Sequence, residues 1–283
     1  MIVETSLIRS FAANVDWIYA GLIRLAESDP SSDPDRALSG RLLYADELEG
    51  AGRVLVVAGK IAGASSLTAT ADPVTQRQAA RDGVINFLAP SVDDALWILK
   101  REMRECNTVA VCVTQPPHVV EHEMAALGVL PDLLPPGALN ACRFEKFLTH
   151  GARKIDPISV RNHQTVVTWS VDREPARWLP KLDVIALDCL GSFHSLRGCS
   201  DFDTWSARRW LQNAPRYLGR MAHGMRLLRC PTQVARSFLS RVREMTNTGI
   251  LNVAVEMNLS CRGELECHRL AQPVESLRAV QHI

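Results

Sequence analysis

Residues 53–63, RVLVVAGKIAG, decide how this chain folds, because they can be read two ways. Three β-branched valines, Val54, Val56 and Val57, favour a strand, whereas Leu55, Ala58, Ile61 and Ala62 are spaced for a helix. Downstream the pattern is plainer. SLTATAD (66–72), GVINFLA (83–89), TVAVCV (108–113) and GVLPDLL (128–134) are short β-rich runs with helical segments between the later ones. In SVDDALWILKREMREC (91–106), Ser91 suits an N-cap. Asp93 and Asp94 suit the positive end of the helix dipole, and Lys100, Arg101 and Arg104 suit its negative end. Such alternation predicts an α/β fold with a mainly parallel sheet and flanking helices.

Upstream, Leu7, Ile8, Phe11, Val15, Ile18, Tyr19, Leu22 and Leu25 form the stripe of an amphipathic helix, and SDPSSDPDRALS (28–39) reads as a linker. In the second half, QTVVTWSV (164–171) and LDVIALDCL (182–190) read as two more strands. Residues 202–246 read as helical with a break at Pro215, and GILNVAVEMNLSC (249–261) alternates as a half-buried strand. The expected organisation is an N-terminal helix and linker over 1–39, a core over 40–195, and an Arg-rich mixed region over 196–283, helical with a terminal strand.

Composition narrows the function classes. With 47% apolar and 22% charged residues in 283, the chain is neither collagen-like nor disordered in type. No run approaches the roughly 20 apolar residues of a membrane span. Eight cysteines without a C-x-x-C pair fit a reduced, cytoplasmic chain, and MIVETSLIRSF lacks the basic start and unbroken apolar stretch of a secretory leader. The formal charge of +1 conceals 13 Lys/Arg against 19 Asp/Glu in residues 1–150 and 19 against 12 thereafter, so the two halves are expected to attract.

One string suggests metal chemistry. His118-Val-Val-Glu121-His122 has the H-x-x-E-H spacing that sets two imidazoles on one helical face beside a carboxylate. A helix starting at Pro116-Pro117 would pack Val120, Met124 and Leu127, leaving His118, Glu121 and His122 opposite them in solvent. No third ligand is recognisable, so no metal site is expected and a metal hydrolase is the remotest reading.

From Gly40 to Asp132 the chain resembles the NAD-binding core of the urocanase (urocanate hydratase) family. GRLLYADELEGAGRVLVVAGKIAGASSLTATADP (40–73) is similar to the family's strand, glycine-rich loop, helix and second strand. RDGVINFLAPSVDDALWILKREM (81–103) resembles its next strand and acidic-start helix, and ALGVLPDLL (126–134) its G-V-x-P-D strand. The resemblance covers about a third of the chain and makes residues 53–63 a helix. It implies a Rossmann-like core and an NAD, which in urocanases serves as an electrophile during water addition to the substrate.

The departures fall on the site. Glu47 and Glu49 stand at glycine positions of the loop, leaving Gly50 and Gly52 to approach a diphosphate. Thr70 occupies the place of the ribose-binding acid, with Asp72 as substitute. TQPP (114–117) replaces a Gly-Asn turn, and LPPGALNA (134–141) replaces a polar loop, keeping only Asn140. The family's large C-terminal catalytic region has no counterpart. The cofactor-binding residues implied are therefore Gly50, Gly52, Asp72, Thr114 and Asn140, with no catalytic residue assigned.

Beyond the resemblance, parallel sheets bind ligands outside the carboxyl ends of their strands, which brings in Asp132 and Asp188 with Cys189. Gly191, Ser192 and His194 would then form a turn after a strand. Residues 205–243 carry nine arginines with Trp205, Trp210 and Tyr217 interleaved, a phosphate-binding composition that equally suits a solvated face, so nucleic acid is not expected. Cys261 and Cys267-His268 lack zinc spacing and read as structural. The first functional expectation is a diverged urocanase-like nucleotide- or NAD-binding protein with a small-molecule ligand, a lyase or hydratase if an enzyme, without urocanase activity itself. The alternative is a non-catalytic binding or assembly module, as a homo-oligomer.

Overall fold

The ambiguous run is helical, and its burial explains the ambiguity: every residue from Val54 to Ala62 is buried. A helix covered on all sides needs no polar stripe, so its valines fall where a surface helix would carry charge. The computed structural model describes residues 2–28, 37–136, 144–156, 164–197, 202–218, 224–261 and 264–271. They divide into two compact units, Met1–Ser159 with Arg216–Arg220, and Val160–Pro215 with Met221–Ile283.

Unit 1 runs α1 (Ile2–Glu27), β1 (Leu42–Glu47), α2 (Gly50–Ala62), β2 (Ser65–Ala69), α3 (Pro73–Arg81), β3 (Phe87–Ala89), α4 (Val92–Arg104), β4 (Ala110–Val113), α5 (Pro117–Ala126), β5 (Leu133–Leu134), α6 (Glu145–Thr149) and β6 (Arg153–Lys154). The six strands form one sheet in the order β3-β4-β2-β1-β5-β6, parallel at every pairing. On one face Leu42, Tyr44, Leu67, Val111 and Val113 pack with Val92, Ala95 and Leu99 of α4 and Val120 and Met124 of α5. On the other, α2 lies between the sheet and α1. Its Gly59 sits so close to Leu43 that a Cβ would be 2.8 Å from Leu43 Cδ2.

Unit 2 runs β7 (Gln164–Val171), α7 (Pro175–Arg197), α8 (Phe202–Tyr217), β8 (Met225–Pro231), α9 (Thr232–Asn247), β9 (Val255–Cys261) and β10 (Glu264–Leu270). Its sheet is antiparallel, in the order β10-β9-β7-β8. Because β8 and β9 both oppose β7, they run parallel to each other with β7 between them, so β8–α9–β9 is a split βαβ unit. Val167, Trp169, Leu228, Met257 and Leu259 are buried and share one sheet face by register. On that face the Trp169 ring meets Phe238 of α9 edge-on at 5.1 Å.

The α/β class, the parallel sheet with flanking helices and the N-terminal helix are thus present, but the second half corrects several expectations. Residues 182–190 lie within α7 rather than a strand: Trp178, Leu179, Leu182, Ala186, Cys189 and Leu190 are buried at helical spacing while Val184 is 57% exposed. Within the span expected to be helical, residues 225–231 form β8, and α8 continues through Pro215 to Tyr217. Only Val255–Cys261 of the alternating run is a strand, and β10 follows it. Residues 164–195, read as part of the core, belong instead to the unit with the antiparallel sheet. Among the described residues no helix is long and apolar enough to cross a membrane.

Candidate functional site

In unit 1 the chain leaves β1 toward β2 on one side, and after β4 it crosses to β5 on the other side of β1. Strand order therefore reverses between β1 and β5, and the crevice beyond their carboxyl ends is where such a sheet takes a ligand. The backbone there is irregular. β1 shifts register against β2 between Tyr44 and Glu47, and Asp46 adopts a left-handed φ of 59°. Thr68 Oγ1 donates to Asp46 O at 2.7 Å, and Leu48 N donates to Ala69 O at 3.0 Å, which together hold the bulge. A non-glycine residue in this conformation costs about 1–3 kcal/mol and is concentrated at ligand sites.

The turn into α2 needs both of its glycines. Gly50 has φ 45°, and a Cβ on Gly52 would lie 1.7 Å from Glu47 O. Glu49, at the N-cap, is extended and makes no side-chain cap. The first turn thus carries backbone donors with no capping side chain, at the positive end of a helix dipole. Glu47, Glu49, Gly50 and Ala51 are all exposed.

Asp72 stands beyond β2 as the N-cap of α3, accepting from Val74 N at 3.1 Å and Thr75 N at 2.9 Å. The Thr75 hydroxyl, followed by these two amides, holds its carboxyl below the usual range. That hydroxyl lies 2.7 Å from Asp72 Oδ2 and 2.9 Å from Glu49 Oε1. One proton serves two carboxylates, so Glu49 is drawn toward α3. Beyond β4, Thr114 N donates to Ala89 O at 2.9 Å. The next residue, Gln115, donates to Pro90 O at 2.8 Å, and its Oε1 is buried without a hydrogen-bond partner among the described residues.

Because β4, β2 and β1 are neighbours, Gly50, Gly52, Asp72 and Thr114 stand along one sheet edge. Asn140 lies outside the described residues. Other expected positions lie elsewhere. Asp132 precedes β5 and accepts from Leu42 N at 2.7 Å and Arg41 Nη1 at 3.1 Å, so it fastens the amino ends of β1 and β5. Asp188, Cys189, Gly191, Ser192 and His194 are helical residues of α7 and form no turn after a strand.

The H-x-x-E-H string is on α5, with Val120 and Met124 buried. Its acid turns inward: Glu121 is 8% exposed and accepts from the Tyr44 hydroxyl at 3.1 Å, while His118 and His122 are exposed and Leu127, expected to pack, is 53% exposed. The carboxylate therefore does not stand beside the imidazoles. Among the described residues no group of three or more His, Cys, Asp or Glu is arranged to hold a metal ion. The described arginines of 205–243 are spread over α8, β8 and α9, and Arg220 lies outside the described residues. Arg226 pairs with Asp183 at 3.0 Å inside unit 2, and Trp210 Nε1 donates to Leu227 O at 2.6 Å.

Three features escaped sequence reading: the left-handed Asp46, the orphaned Gln115 oxygen, and Lys60. Lys60 lies in α2, 3% exposed, and donates to Gly83 O at 3.0 Å and Val84 O at 3.3 Å. Burial, and secondarily Arg216, bring its pKa down to about 8. Its place inside an otherwise apolar helix was the available signal. No protein-family model matches this chain, and no curated protein matches it.

Proposed function

We propose that unit 1 binds a nucleotide or dinucleotide, NAD in the first instance, with a phosphate at the first turn of α2. The observation that carries this reading is the β1–α2 corner, where a left-handed Asp46, a left-handed Gly50 and the close approach of Gly52 leave an uncapped helix start exposed. Backbone donors and the helix dipole suit an anion there. Glu49 and Asp72, held near each other by Thr75, would accept from ribose hydroxyls rather than face the phosphate. The urocanase resemblance of residues 40–132 supports the same location, and the cofactor's known chemistry makes a lyase or hydratase the reaction class to test first. Urocanase activity itself is not proposed, since TQPP and LPPGALNA supply few of the polar groups that the family's loops provide.

Titration with NAD, ADP-ribose and inorganic diphosphate, read as a shift in melting temperature, tests this. NAD is expected to raise Tm, and Gly50→Val, whose added Cβ has free space but an unfavourable φ, is expected to abolish the rise. Absence of any shift, together with purified protein free of nucleotide absorbance, would exclude it. A second reading, a binding or assembly module without chemistry, is favoured by the exposed Glu47 and Glu49 beside the turn, which repel a diphosphate. An unliganded protein that self-associates would fit that reading.

A further inference from the structure

The four edges of the two sheets are not alike. In unit 1 the edge strands β3 and β6 have three and two residues, too short to template another strand. In unit 2, β8 ends in Pro231, carries Arg226 and Arg229, and has its Leu227 carbonyl taken by the Trp210 indole. β10 also carries charge, at Glu264, Glu266 and Arg269, but it is neither short nor interrupted. It pairs with β9 over seven consecutive residues without a bulge, contains neither proline nor lysine, and among the described residues has no strand on its other side. Leu265 is 59% exposed on it, and Glu264, Glu266, Cys267 and Arg269 are also exposed. Edges that natural proteins leave this regular are normally covered.

We propose that β10 is a homodimer interface, pairing antiparallel with β10 of a second copy so that two four-stranded sheets become one. The strand's own sequence selects this occupant. A two-fold axis perpendicular to the sheet keeps each residue on its own face, so only registers that oppose residues of like parity are allowed. Centred on Glu266, the pairing sets Glu266 against its own copy; centred on His268, it sets the two imidazoles together. Centred on Cys267, it uses all seven residues, Glu264 with Leu270, Leu265 with Arg269, Glu266 with His268 and Cys267 with Cys267, and opposes no like charges. Glu266 already lies 3.5 Å from Arg236 Nη2, an ion pair, and 3.5 Å from His268 Nε2 of its own chain, so the second copy's imidazole joins an existing polar cluster. The two Glu266–His268 pairs and the paired backbone provide affinity, and the parity rule provides register.

Light scattering of the full chain is expected to give twice its 31.3 kDa mass. Copper–phenanthroline oxidation, run on a Cys106→Ser background because Cys106 is also exposed, is expected to give a covalent dimer whose disulfide maps to Cys267–Cys267 and disappears in Cys267→Ser. Glu266→Arg should weaken association about tenfold, and adding His268→Glu, which exchanges the charges, should restore it. Both positions are outside the apolar core, and unchanged circular dichroism confirms that the variants fold. A monomer at all concentrations, a cross-link mapped to another cysteine, or a double variant as weak as the single one would each overturn the proposal. So would a monomer whose β10 amides lose exchange protection on removal of residues 272–283, since the edge would then be covered by its own chain.

Discussion

The two units solve the same packing problem by opposite means. In unit 1 the backbone comes close: Gly52 admits α2 against Glu47 O, Gly59 fits against Leu43, and a Cβ on Gly21 of α1 would lie 3.0 Å from Ile155 Cγ2. In unit 2 side chains fill the space between helices and sheet, Trp169 against Phe238, while Gly191 of α7 has nothing near it. Buried charge follows the same division. Unit 1 satisfies Lys60 with backbone carbonyls, whereas unit 2 sets Arg226 against Asp183, with side chains 14% and 13% exposed. A parallel sheet covered on both faces leaves little room for side chains between helix and strand, whereas the antiparallel sheet of unit 2 meets α9 through its aromatic side chains.

Each contrast can be broken separately. The largest effect is expected for Gly52→Val: no rotamer relieves a Cβ at 1.7 Å from a carbonyl oxygen, so unit 1 should fail to fold, read as loss of soluble expression. In unit 2, Asp183→Ala strands a buried guanidinium and should cost about 3–5 kcal/mol in denaturant unfolding. Asp183→Leu with Arg226→Met should recover most of this, because the pair itself contributes little. Burial already raises the Asp183 carboxyl above its usual range despite the opposing pull of Arg226.

The buried lysine gives unit 1 a pH signature of defined sign. Its folded pKa of about 8 lies below the ordinary lysine value of 10.5, so the unfolded chain binds more protons between these values. The Lys60 contribution to stability should therefore rise with pH across that window, by roughly 3 kcal/mol, and be fully unfavourable below it. Lys60→Met should remove this component of the slope; an unchanged slope would show that the ammonium is better solvated than its surroundings imply. The smallest effect sharpens the glycine contrast: Gly191→Ala, in a helix with free space, should stabilise unit 2 by about 0.5–1 kcal/mol.

Much of unit 1 was legible because its signals are local. Ser91 caps α4 through Asp94 N at 3.1 Å, and within the apolar run 108–113 Ala110–Val113 is a strand with both faces buried. Residues 182–190 misled for the converse reason. Val184 and Ile185 suggest a strand, but the buried set spans 178–190 at helical spacing and becomes visible only over the whole of α7. In the candidate site the glycines could be read from their need for space. Asp72 could be named without showing that its carboxylate is committed to α3, and Glu121 could be named without showing that it turns from the imidazoles to Tyr44.

By itself the sequence determined the alternation of strand and helix in the first half, the Ser91 cap and the glycine turn, all of which depend on conformational preferences within a few residues. Tertiary structure alone decided that α2 is buried from Val54 to Ala62, that Asp46 is held left-handed by Thr68, and that Lys60 is held by the carbonyls of Gly83 and Val84. It also decided which strand is left at the edge of unit 2. Asp46 and Lys60 depend on partners 22 to 24 residues away along the chain, and the sheet of unit 2 joins β7 to β9 with Asn258 bonded to Thr168 90 residues away, contacts that only the folded chain brings together.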